Sequence, residues 1–260
     1  MSIIVQGRIL QLVFLLGYSA AVFYGIYRST VQKKVPQVRQ PPAIMAIEEA
    51  MGRCVEMGRP MLFQTGIGDI SDQGATHMAM MGVLAYTARM AAQKDANFIV
   101  TTPSPTLYPM AEGIVKDEYE AEGKADRFRP DMVQFLSNNQ MAYASAVLHL
   151  MQRENIGANI QIGFFQAENL ITLEAAKVVG AINIGGAVRT FRIPGMAIGC
   201  DYFLMGEEVF AAGAFCRRDP TQLGAILGQD ISKAIAVIVV VLGVIFSIFG
   251  SNLLVQILNT

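Results

Sequence analysis

The sequence is poor in the residues from which metal sites and disulfide frameworks are made. It holds three cysteines, Cys54, Cys200 and Cys216, and two histidines, His77 and His149. No two cysteines form a CxxC pair, so the spacing of a structural zinc site is missing. An odd, scattered set fits free thiols in a reducing compartment, packed as small core residues. An excess of one charge is missing too. Twenty-one acidic residues against 20 basic leave a formal net charge of −1, and no overall field would recruit nucleic acid. The fifteen methionines are spread along helical patterns and read as core filler.

Catalytic signatures are also absent. Gly66-Ile67-Gly68 lacks the third glycine of the dinucleotide fingerprint, and neither a GK[ST] loop nor a GxSxG elbow occurs. Gly66-Ile67-Gly68-Asp69 spells the GxGD of intramembrane aspartyl proteases, but that chemistry needs paired aspartates on membrane helices, and neither apolar span below contains one. Asp69, Asp72 and His77 could meet Glu168 or Glu207 about a divalent metal. Each also has a plain local reading, as a turn, a helix cap and a helix residue. No metal and no cofactor is therefore assigned. His149, among Val147, Leu148 and Leu150, reads as a packed or half-buried helix residue.

What is abundant is apolar: 53% of the residues are hydrophobic. Residues 9–27 run without a charge, long enough to cross a bilayer core. Arg28, Lys33, Lys34 and Arg39 follow, against a lone Arg8 ahead. A cleaved signal peptide would carry its basic residues first, so this reads as a signal anchor with the following chain in the cytoplasm. A second span runs over about residues 234–258, with Arg217, Arg218 and Lys233 before it and no charge after. Both flanks give one topology: two spans in the inner membrane, both termini outside, the centre cytoplasmic. Small residues recur four apart in each span, Gly17, Ala21 and Gly25, then Gly243, Ser247 and Ser251, a spacing that lets helices pack closely.

Three segments follow from this: an anchor and linker over 1–40, an α/β domain over 41–230 and a terminal membrane helix over 231–260. Within the domain, Ile44, Ile47, Met51 and Cys54 mark an amphipathic helix ended by Gly58. Apolar runs beginning near residues 61, 97, 132, 159, 181 and 202 read as strands. Helical patterns separate them, over about 73–94 (capped by Ser71 or Asp72), 107–123, 140–155 and 170–179. A last helix leads toward Cys216, and the charged stretch 124–131 reads as solvated loop. The expected fold is α/β: a doubly wound, mostly parallel five- or six-stranded sheet flanked by the two transmembrane helices.

Ligands in such sheets bind beyond the carboxyl ends of the strands. That edge gathers Thr65, Gly66, Gly68 and Asp69, then Thr102, Ser137 and Asn138, then Glu168 and Glu207. The set is polar without concentrated positive charge and suits a small hydroxylated ligand. Asp69, next to a helix start, could accept its hydroxyl protons if it faces Glu168 or Ser137 across a common cleft.

The run Gln64-Thr-Gly-Ile-Gly-Asp-Ile-Ser-Asp-Gln-Gly74, the segment Thr101-Thr-Pro-Ser-Pro-Thr106 and Gly163-Phe-Phe-Gln-Ala-Glu168 resemble a bacterial and archaeal family of membrane-anchored α/β proteins of unknown function. The resemblance covers most of residues 41–228 and brings no catalytic residue with it. The expected role is a homo-oligomeric membrane scaffold or assembly protein. Its partners would be the lipid bilayer, further copies of itself through the spans and the α/β domain, and possible other membrane subunits. The small-residue stripes and the Gly-rich stretch 181–187 support that role. An enzyme or sensor binding a small polar ligand at the sheet edge is the alternative.

Overall fold

The computed structural model describes residues 9–34, 40–68 and 70–248. The chain begins with α1 (Ile9–Thr30) and α2 (Pro42–Met57), and continues with β1 (Met61–Gly66), α3 (Ile70–Gln93), β2 (Phe98–Thr102) and α4 (Leu107–Ala121). Then come β3 (Val133–Phe135), α5 (Gln140–Glu154), β4 (Ala158–Phe164), α6 (Glu168–Val178) and β5 (Ile182–Ala187). The last elements are α7 (Ile193–Gly199), β6 (Tyr202–Met205), α8 (Glu208–Arg217) and α9 (Pro220–Ile248). Two compact units result: Arg39–Arg217, and Met1–Val38 with Arg218–Thr260.

In the larger unit the six strands form one parallel sheet in the order β3-β2-β1-β4-β5-β6. The order reverses between β1 and β4, the doubly wound arrangement. The sheet's two faces are chemically different. On one, Met61, Phe63, Phe98, Val100, Ile160, Ile162 and Ile184 pack against α2, α3, α4 and α8 in a continuous apolar core. On the other, Gln64, Thr101, Asn159, Gln161 and Asn183 lie fully buried beneath α5, α6 and α7. Gln64 donates to Asn159 (2.7 Å), Asn159 to Asn183 (2.8 Å) and Asn183 to the Leu173 carbonyl (3.1 Å). Tyr143 meets the Thr101 hydroxyl at 3.0 Å, and Gln161 donates to Thr172 at 2.6 Å. A buried amide is tolerated only when hydrogen-bonded, so this face is held by a chain of such bonds running across three strands.

Several expectations are refined. The helix after β1 opens at Ile70, earlier than the 73 expected, and its backbone breaks at Gln73 (φ −130°, ψ 28°). His149 stands exposed, because Val147, Leu150 and Met151 take the inward side of α5. The stretch 124–131 is ordered as two short 3-10 turns, tied to Asp95 by Lys124 (2.6 Å) and Arg127 (3.6 Å). The Gly-rich strand β5 is interior: a Cβ on Gly185 would fall 2.4 Å from the Cys200 sulfur and one on Gly186 3.2 Å from Val209. It is a core strand rather than a docking surface. Helix α7 fills a stretch for which no element was expected.

In the smaller unit α1 and α9 are both long and apolar enough to cross a membrane. They pack on each other through glycines. A Cβ on Gly25 would sit 2.2 Å from the Gly224 carbonyl oxygen, and one on Gly228 2.4 Å from the Val22 Cα. Gly224 faces Ile26 and Ser29 while Gly228 faces Ala21, so the helices run antiparallel. Ala21 and Gly25 were expected at such a contact; their partners are Gly224 and Gly228, upstream of the expected span, and Gly17 has no neighbour within 4 Å. α9 begins at Pro220 because Gln229, Asp230 and Lys233 interrupt the apolar pattern without interrupting the helix. Residues 249–260, with Ser251, lie outside the described residues.

Candidate functional site

The crevice between β1 and β4 is the place where a doubly wound sheet opens for a ligand. Here the backbone closes it. The Ile67 N–H donates to the Phe164 carbonyl at 2.6 Å, one step past the last regular pair of β1 and β4. Gly66 (φ 80°) and Gly163 (φ 147°) permit this approach: a Cβ on either would fall 2.5 Å from Phe164 O or 2.4 Å from Thr65 O. Only glycine fits such contacts at such angles.

The expected residues divide along the edge. Thr65 is buried and donates to the Thr101 carbonyl at 3.5 Å. The Thr102 hydroxyl accepts from the Ser104 N–H at 3.2 Å. Ser137 accepts from the Asn139 N–H at 3.1 Å, and Asn139 caps α5 through Met141 and Ala142. Asn138 is exposed and Gly68 takes φ 101°. Glu168 is fully buried; its two oxygens accept from the Gln140 side chain (2.5 Å) and the Gln166 N–H (2.8 Å), joining the starts of α5 and α6. Glu207 is exposed after β6. Asp69 lies outside the described residues, and so does its expected approach to Glu168 or Ser137. Ser137 and Glu207 follow the two outermost strands, five strand spacings apart. That is about 24 Å at roughly 4.8 Å per spacing, too far for one small ligand.

A different group converges beside the closed crevice. Gln73, Thr76, Asn169, Arg189 and Arg192 line a recess of about 10 Å³ at the ends of β4 and β5. The Arg189 guanidinium lies 4.8 Å from the Phe164 ring centre, a cation–π contact. Asn169 Oδ1 and Arg192 Nε are buried without a hydrogen-bond partner among the described residues. This edge therefore carries positive charge after all. Sequence reasoning assigned no element to residues 188–200 and missed both arginines; their place just beyond a Gly-Gly strand was the available signal.

Two wider hollows open at the other edge of the sheet. One, of about 420 Å³, is lined by Glu49, Arg53, Lys177 and Tyr202; the other, of about 210 Å³, by Asp95, Tyr119, Arg127 and Arg129. Burial pushes the Cys54 thiol up to about 11 and the Cys200 and Cys216 thiols to about 12, so none supplies a thiolate at neutral pH. Among the described residues no three metal-ligating side chains come together.

A family model described as a domain of unknown function (DUF6754) matches residues 1–258. The chain belongs to this family. No curated protein and no solved structure matches it. The match takes in both apolar helices as well as the α/β unit.

Proposed function

We propose that this family member is a membrane-anchored, homo-oligomeric scaffold or assembly protein. The α1–α9 hairpin crosses the inner membrane twice, with both termini outside and the α/β unit in the cytoplasm. Its antiparallel packing through Gly25, Gly224 and Gly228 supports the hairpin, and the basic residues Arg28, Lys33, Lys34, Arg217 and Arg218 support the orientation.

One observation carries the scaffold reading. The β6 edge of the sheet and the adjoining α7 form an apolar margin: Ile198 is 81% exposed and Met205 52%, and Phe191, in the turn before α7, is 62% exposed with the Arg192 guanidinium 4.8 Å from its ring centre. No charge interrupts residues 193–200. The Glu208 carboxylate takes the Met205 N–H at 3.0 Å and caps the end of β6, but the rest of this edge strand and its apolar side chains remain a template for association. A second copy of the chain is the occupant that a scaffold requires.

The test is the molar mass of the full chain in mild detergent, by light scattering. The wild type should run as an oligomer, and Ile198→Asp with Met205→Lys should reduce its mass while circular dichroism stays unchanged. A monomeric wild type would remove the reading; a mass made up by other polypeptides would replace it with a mixed assembly of membrane subunits.

A second reading, a sensor or enzyme for a small polar ligand, is favoured by the unsatisfied Asn169 and Arg192 atoms in the recess. The recess itself has room for about one water, so the ligand would present a carboxylate or phosphate oxygen to the arginines at its mouth. A screen of such small anions for thermal stabilisation, lost in Arg192→Gln, tests it.

A further inference from the structure

The recess at the ends of β4 and β5 is small and chemically two-sided. Its volume, about 10 Å³, takes one water-sized group. Asn169 brings an acceptor to it, Oδ1, and Arg192 a donor, Nε–H; both atoms are buried without a hydrogen-bond partner among the described residues. The Asn169 side chain is wholly enclosed, with the residue 1% exposed. An amide oxygen and a guanidinium N–H left buried and unpaired are costly. The occupant that relieves both must accept one hydrogen bond and donate another. A carboxylate oxygen accepts from Nε but brings no proton to Asn169, whereas a hydroxyl does both.

The mouth decides what carries the hydroxyl. Arg189 is exposed there and Arg192 half-buried. Among the described residues their guanidiniums meet the rings of Phe164 and Phe191, each at 4.8 Å, and neither is paired with a carboxylate. One guanidinium presents Nε–H and a terminal N–H side by side, a fork that takes two neighbouring oxygens. With Nε engaged by the hydroxyl, the neighbouring oxygen belongs to an anionic group on the adjacent carbon. We propose that the recess is the subsite of a small 2-hydroxycarboxylate. The hydroxyl enters, donates to Asn169 Oδ1 and accepts from Arg192 Nε, while the carboxylate stays at the mouth with the Arg192 terminal nitrogens and Arg189. This inference rests on the small-ligand reading and names its ligand class. Selectivity follows from it: a site built around a hydroxyl rejects the analogue that lacks one, because its buried polar atoms are then left unpaired.

The test titrates glycolate, lactate, acetate and inorganic phosphate into the full-length chain in mild detergent, with the thermal melting midpoint as readout. Glycolate and lactate should raise the midpoint. Acetate, which is glycolate without the hydroxyl, should need at least about tenfold more concentration for the same shift. Asn169→Ala should bring glycolate down to the acetate level. Arg192→Lys, which keeps the charge and loses the fork, should weaken glycolate by about tenfold or more. The midpoints without ligand show whether each variant is folded, and the wild-type ratio of glycolate to acetate decides even where a variant is not. Equal responses to glycolate and acetate, or a preference for phosphate over both, would overturn the hydroxy-acid assignment and leave an anion site standing. A discrimination that survives in a folded Asn169→Ala would overturn it too, since the hydroxyl would then be read elsewhere. No response to any of the four would overturn the assignment together with the small-ligand reading, the recess then holding a single water.

Discussion

Single residues do more in this protein through buried polarity than through reactive groups. Asn159 is the middle link between Gln64 and Asn183, at 2.7 and 2.8 Å. Leucine there would strand two buried amides, and Asn159→Leu should cost about 2–5 kcal/mol, read by urea denaturation of the full chain. Arg59 likewise donates to the carbonyls of Asn155, Ile156 and Val179, pinning the ends of α5 and α6. Arg59→Ala should cost about 2–3 kcal/mol by the same measurement. The thiols give a pH prediction. Their folded values, about 11 to 12, lie above the ordinary thiol value of 9.0, so the folded state holds these protons more tightly than the unfolded chain. The stability they contribute is present below pH 9 and lost as pH rises toward 11 to 12. Denaturation midpoints should be flat in this respect from pH 7 to 8.5 and then fall; replacing Cys54 and Cys216 by Ala should flatten that fall.

At the scale of elements, much was legible. Strand positions followed from short apolar runs bounded by turn residues, and β6 (Tyr202–Met205) stands where its four residues predicted. The C-cap at Gly58, with φ 64°, is where a helix ended by glycine should have one. The polar sheet face was written in the sequence as well, in the alternation of Asn159 with Gln161 and of Leu62 with Gln64. It was hidden because a parallel strand buried on both faces is expected to be apolar throughout. α7 could not be read: Pro194 and Gly195 look like loop, and its seven residues are too few for a periodicity. Of the candidate site, only the sheet edge itself was legible. Side chains such as Glu168 turned out to bond neighbouring loops, and the arginines beyond β5 were set by an unread helix. The closest helix contact gives the sharpest element-level prediction. Gly228→Leu would drive a side chain into the Val22 backbone, and overpacking of that kind costs about 1–3 kcal/mol. A cross-link between cysteines placed at Ala21 and Gln229 should be lost in that variant.

For the whole molecule, the family match over residues 1–258 spans both the hairpin helices and the α/β unit. The proposed scaffold associates through the α7–β6 margin in the aqueous phase and is held at the membrane by the hairpin. The topology has its own check. Single cysteines at Ser2 and Thr260 should label from outside intact cells, and one at the exposed Glu120 should label only after permeabilisation; the reverse pattern would invert the chain. The most direct measurement is the molar mass of the natively purified full-length protein in mild detergent, by light scattering or native mass spectrometry. Two or more copies of the 28.2 kDa chain in one particle are expected. A single copy, alone in its micelle at every concentration tried, would contradict the scaffold.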